Sequence, residues 1–386
     1  MLSDFELELE RTEGDIARFE SGSGDLDKRT SYLFRLYHRA TLCGDPAAFD
    51  RAEAEIDKTI LRFGPQEDLC FLKAHLDFQL HRLDAVKRDL AMAPALAGRF
   101  EGRALQAEVD FQEGRYGQAK SEYERLIEEN PTWDNLARLA HFKSKMGEME
   151  EADELYFDAE DQLTAKEMRS FAWIELQRGV LDLSRGHYEH AAGHYDRARR
   201  AYSGYWVVDE HIAELLAARG KFSEALALYQ SLVARVPKPE LRQALGELYL
   251  FLGKPAQADP WLNVALAGYL DFARRSDARY GHHLSHFFSD VREDAKEALS
   301  WARKDIALRE NFSTQAALAW ALYRDNQVEA AVDTINQALA SGVRDSGIFA
   351  QASTIFQAAG STCESHQCLA MAVAINPYFR NFHIHR

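Results

Sequence analysis

Four segments of this chain repeat one pattern, and a repeat constrains the fold more tightly than any composition does. They read EGRYGQAKSEYERLIEENP (113–131), RGHYEHAAGHYDRA (185–198), RGKFSEALALYQSLVARVP (219–237) and AGSTCESHQCLAMAVAINP (359–377). Each carries a Gly (Gly114, Gly186, Gly220, Gly360), a small residue five later (Ala119, Ala191, Ala225, Ser365), then Tyr123, Tyr195, Tyr229 or Leu369. Pro131, Pro237 and Pro377 close three of them. Weaker copies centred on Ala152, Ala258, Ala295 and Ala331 fill the gaps, so successive small residues stand 33 to 39 apart. A unit of that length is one helix pair: the small residue lets two helices approach, the Gly takes a left-handed turn, and the Pro stops the second helix.

The pattern resembles the tetratricopeptide repeat (TPR) family. The segment RSFAWIELQRGVLDLSRGHYEHAAGHYDRARRAYS (169–203) fits best, with Gly179, Gly186, Tyr188, Ala191, Tyr195 and Ala198 on the family's marked positions. Asp290 and Asn326 stand where other copies have the turn Gly. The C-terminal portion, with GHHLSHFFSDVRED and AWALYR, is similar to bacterial TPR proteins that share a histidine-rich helix. The resemblance implies an all-α, right-handed superhelical α-solenoid of about ten antiparallel helix pairs. These pairs are expected near 30–63, 66–97, 100–131, 133–166, 172–205, 206–238, 239–270, 276–310, 312–344 and 346–379. The expected organisation is an acidic N-terminal arm or cap with a Ser/Gly linker (1–29), TPR-like pairs (30–270), C-terminal pairs with the histidine-rich helix (271–379) and a tail (380–386).

Composition narrows the function classes. With 46 basic and 61 acidic side chains the net charge is -15, which argues against nucleic acid or an anionic membrane as partner. The first twenty residues carry acid where a secretory signal needs a positive start, no window approaches a membrane span, and the four cysteines are too scattered for a disulfide framework. A cytoplasmic protein is expected. No Gly-rich phosphate loop, nucleophile elbow or paired CxxC occurs, so no catalytic residues are assigned and an enzyme is not expected.

In a TPR array first helices line a concave face, and the resemblance places Glu210, Glu214 and Glu247 there, followed by Tyr280, Phe287, Phe288, Trp320, Tyr323 and Arg324. Carboxylates and aromatic faces both attract cations, so the expected partner is a protein or peptide with basic and apolar side chains, held by a scaffold or adaptor.

The histidines suggest two alternatives. His282, His286 and Asp290 are spaced four apart, a helical geometry for two imidazoles and a carboxylate on one metal ion such as zinc. His383 and His385 in the tail are weaker candidates. The same three residues also suit a buried polar network that fixes helix register. A metal-delivery accessory protein, or an accessory subunit gripping a peptide substrate or catalytic partner, are the rivals to a plain scaffold.

Overall fold

The computed structural model describes residues 2–20, 25–236, 238–274 and 280–383. Among these the regular structure is 22 α-helices with no strand, an all-α, TPR-like solenoid of antiparallel pairs. The linker residues 21–24, Pro237 and His385 lie outside the described residues. The chain divides into two compact units, one up to Asn130 and one from Pro131 onward.

The first unit comprises α1 (Asp4–Glu20), α2 (Leu26–Cys43), α3 (Pro46–Phe63), α4 (Glu67–Gln79), α5 (Leu83–Ala91), the single turn α6 (Pro94–Ala97), α7 (Phe100–Gln112) and α8 (Tyr116–Glu129). The acidic segment α1 covers the first pair: Ile16 packs with Tyr32, Leu33, Leu36 and Phe49. Around that apolar contact Glu8 meets His38 at 3.1 Å, Glu13 meets Arg39 at 3.2 Å and Glu20 meets Arg51 at 3.2 Å. Acid on α1 thus matches base on its neighbours.

The second unit comprises α9 (Trp133–Met146), α10 (Met149–Asp161), α11 (Met168–Ser184), α12 (Tyr188–Ala201), α13 (Trp206–Ala218), α14 (Phe222–Arg235), α15 (Pro239–Phe251), α16 (Pro255–Arg274) and α17 (Gly281–His286). It continues with α18 (Ala295–Ile306), α19 (Phe312–Arg324), α20 (Val328–Ala340), α21 (Ser346–Ala358) and α22 (Thr362–Ile375). A π-helical turn, Phe287–Val291, extends α17.

The sequence markers sit where packing is tightest. Ala152, Ala191, Ala225, Ala258 and Ala331, each fourth in its helix, are fully buried. Gly179 lies under Tyr195, where an added Cβ would come within 2.2 Å of the ring. One marker is displaced. Ala295 is the first residue of α18, because Asp294 caps that helix by accepting from the Glu297 amide, and Ala298 holds the buried fourth position. The turn position moves likewise: Asn326 takes φ 61°, as expected, but at the irregular pair the left-handed residue is Glu293 (φ 52°) and not Asp290. The π turn, with its wider i→i+5 ladder, carries the chain past the regular turning point.

The second unit also makes contact with itself across many pairs. Gly147, at the α9–α10 turn, lies so close to Arg344 that a Cβ would approach the Arg344 Cβ to 2.4 Å. Gly186, at the α11–α12 turn, lies equally close to Asn376 and Tyr378, beyond α22. The last pairs therefore return to the turns of the first ones.

Candidate functional site

The acidic residues expected on the concave face cluster on α13 and α15. Glu210 and Glu214, one helical turn apart, are 8% and 2% exposed. On α15 the Gln243 amide donates to Glu247 at 2.6 Å and its carbonyl accepts from the Tyr269 hydroxyl at 2.7 Å. Glu240 adds a buried carboxylate oxygen, Oε2, that accepts no hydrogen bond. Burial pushes the Glu210 carboxyl up to about 7, the fields of Glu240 and Glu214 push the same way, and His211 and Lys238 oppose them. Glu210 is therefore costly to ionise in its place.

Two of the aromatics expected in the groove lie in the core instead. Tyr280 and Phe287 are 3% and 0% exposed and pack with Tyr269, Leu262 and Leu284, so they are core residues rather than groove residues. Phe288 packs partly buried against the same cluster. The displaced frame explains this: residues on the α17 segment face the neighbouring pair. Trp320 and Tyr323 remain together on α19, rings 5.1 Å apart, with the Trp320 indole donating to Asp290 at 2.9 Å and Arg324 paired to Glu293 at 3.1 Å.

The three histidines take three different partners. His282 Nδ1 is 3.8 Å from Asp305, His283 stacks on Tyr269 at 5.4 Å, and His286 Nε2 is 3.5 Å from Asp290. Burial depresses His282 to about 3, although 38% of its side chain is open to water. Asp305, 2% exposed, is gripped by both arms of Arg309 at 3.0 and 3.2 Å. The set His282, His286 and Asp290 is therefore not assembled: His282 turns to Asp305, and Asp290, carried by the π turn, is held by Trp320.

Among the described residues the one trio whose donor atoms all lie within 4.8 Å is Asp182, His187 and His190, which the sequence reading passed over. Its sequence signal is an HxxH pair at the start of α12. Arg185 already supplies a cation there, 3.0 Å from Asp182.

The tail gives the most developed contact. After α22 the chain turns at residues 377–380 and lays Asn381, Phe382 and His383 against α12–α15. Phe382 is fully buried among Ala213, Ala217, Leu245 and Leu248, with its ring 5.6 Å from Phe251. The Asn381 amide donates to the Ala218 carbonyl at 2.9 Å, which caps the end of α13. His383 lies 3.5 Å from the Tyr188 hydroxyl and 4.0 Å from Glu214, and Tyr378 packs on Tyr188 at 5.4 Å. Beside this segment a cavity of about 590 Å³ remains, lined in part by Gly186, Gly220, Phe222 and Phe251. Sequence reading named only His383 here; the aromatic-rich run after the last helix was the signal for the rest.

No helix among the described residues is long and apolar enough to cross a membrane. Residues 101–206 match a family described as the TT21 fifth ARM repeats domain. No curated protein matches the sequence. Among solved structures, the APC/C hetero-tetramer Cut9–Hcn1 is 16% identical (90% of this chain, 74% of that one, TM-score 0.46). A tetratricopeptide repeat protein from Parabacteroides merdae is 14% identical (80% and 98%, TM-score 0.38), and MamA is 16% identical (44% and 96%, TM-score 0.35). These likenesses concern the type of fold and nothing finer.

Proposed function

We propose that this chain is a protein-binding scaffold whose second unit receives a partner segment carrying basic and apolar side chains. The observation that carries the reading is the carboxylate cluster of α13 and α15. Burial first, and the fields of Glu240 and Glu214 after it, raise Glu210 to about 7. A cation delivered by a partner relieves that cost, and complementary charge also sets which partners are accepted. Trp320 and Tyr323 offer an aromatic surface on α19 suited to apolar or cationic side chains.

The test compares two labelled peptides of equal length, one of alternating Lys and Phe and one of alternating Glu and Phe, on the full chain. The Lys peptide is expected to bind at least about tenfold more tightly, and Glu210→Gln/Glu214→Gln/Glu247→Gln to remove that preference. Equal binding of both peptides, or a preference that survives the triple substitution, overturns the reading. Replacing Trp320 and Tyr323 by Ala is expected to weaken binding with helicity intact.

A further inference from the structure

We infer that residues 376–383 occupy a binding seat on the second unit as an internal stand-in for a partner, and that the partner is a segment of like chemistry. Such a segment carries an aromatic residue three positions before an Asn-Phe-His triplet, as Tyr378 precedes Asn381, Phe382 and His383 here. This deepens the scaffold reading by naming the seat and the side chains it recognises.

The seat is specific in each of its parts. One side-chain amide caps the last carbonyl of α13, and its neighbour, Phe382, fills an apolar socket made by three successive helices, α13 to α15. His383 then approaches the acidic cluster at Glu214 and the Tyr188 hydroxyl. A helix end, a socket and a carboxylate are read by three consecutive residues, which is how a groove reads a peptide.

The same segment is also built to leave. It contributes no helix and follows the last one, and Tyr378 is half exposed. Its polar contacts to the seat include Asn381 on Ala218 and on Tyr188 (3.4 Å), and His383 on Tyr188 and Glu214, side-chain contacts that an incoming segment of like sequence can take over one for one. The open cavity alongside, walled by Tyr378, Asn381 and Phe382 themselves, gives an incoming segment a place to begin. Because the stand-in is tethered, it competes at high effective concentration, and a partner's apparent affinity falls by the fraction of time the seat is filled.

The probe is a fluorescein-labelled, end-capped peptide of residues 376–383, added to the full-length protein and to full-length Asn381→Ala/Phe382→Ala. The variant is expected to bind the peptide at least about tenfold more tightly than the unaltered protein, and to ignore a peptide lacking the Phe. A folded variant that does not bind the peptide shows the segment to be ordinary core and overturns the inference. Equal binding to both proteins shows that the seat is not blocked and overturns it as well. If the variant does not fold, a glycine pair serves instead. Gly186 and Gly220 have nearly the same left-handed φ, 77° and 74°, so an Ala strains both turns alike. Only at Gly186 does the new Cβ meet the segment, 2.8 Å from Asn376 and Tyr378, whereas nothing lies within 4 Å at Gly220. Gly186→Ala should therefore bind a shorter labelled peptide, residues 379–383, which lacks the two residues struck, better than Gly220→Ala does, and no difference refutes the inference. Neither experiment uses a Lys-rich probe, so failure here leaves the charge preference of the scaffold separately decided.

Discussion

The pairs α11–α12 and α17–α18 follow the same plan and keep it by different means. In α11–α12 the close approach is made by Gly179 under Tyr195, the turn by Gly186, and the buried face of the second helix by Ala191 and Ala198. In α17–α18 the first helix has six residues before its π turn, the left-handed residue is Glu293, and Asp305 takes the place corresponding to Ala198. An aspartate is small enough for that place, but its charge must be met, and Arg309 meets it. Gly281 makes room, since a Cβ there would lie 3.3 Å from the Asp305 Cβ. Geometry is thus conserved between the two pairs while the buried charge moves: in α11–α12 Glu175 of the first helix is met across the joint by His194 and Arg197, in α17–α18 Asp305 of the second is met by Arg309 one turn further along.

The strongest way to break this comparison is to remove the ion pair. Asp305→Ala restores the small residue of the regular pairs yet strands Arg309, whose side chain is only 13% exposed, and should cost about 3 kcal/mol in urea unfolding. Asp305→Ala/Arg309→Leu should recover all but about 1 kcal/mol of that loss. Equal stability of the single variant and the parent would mean that the pair does not hold the joint.

The regular pair should fail by crowding instead. Gly179→Ala forces a methyl against Tyr195 and is expected to lose about 2 kcal/mol. Gly193→Ala, in α12 with only the tip of Arg197 at 3.9 Å, should gain about 0.5 kcal/mol from the helix propensity of Ala. Losses of similar size at both glycines would contradict the close-approach role of Gly179.

A pH profile extends the comparison to a buried acid of α13. An acid raised from its unfolded value near 4.5 to about 7 contributes its stability fully below the lower figure and loses it as pH rises through the upper one. Glu210→Gln should match the parent near pH 4 and become more stable by on the order of 2 kcal/mol by pH 8. An offset between the two that stays constant from pH 4 to pH 8 would place Glu210 in water.

The smallest effects concern the turns. Glu293→Gly gives up an exposed pair with Arg324 but relieves a left-handed backbone, for a net gain of about 0.5–1 kcal/mol. Asn326→Gly should gain less, because Asn tolerates that conformation. Thermal melting resolves the order, and a larger gain at Asn326 would reverse the assignment of strain.

What the sequence made legible follows from the same comparison. Where Gly, small residue and aromatic keep their spacing, as at Gly186, Ala191 and Tyr195, the helix pair and its buried face could be read directly. Between Tyr280 and Ala298 the frame slipped, because two alanines three apart both satisfy the pattern and only the Asp294 cap decides between them. That slip carried Tyr280 and Phe287 into the expected groove, and it grouped His282 with His286 and Asp290, which stay 3.5 Å apart while His282 turns to Asp305. That Glu210, Glu214 and Glu247 fall on first helices could be read from helix order, whereas their burial could not. The seat of Phe382 depends on the chain meeting itself across more than a hundred residues, for which no local pattern exists.

The contact of Gly147 with Arg344 bears on how the second unit comes apart. An open array unravels from its ends, one pair at a time, because each pair answers only to its neighbours. Here the terminal pairs are pinned to the opening ones, so losing either end exposes surface at both. Such a unit has no free end from which to fray, and the amides of α21 and α22 should exchange with solvent through the same global opening as those of α13, at the expense of slower folding through contacts so distant in sequence.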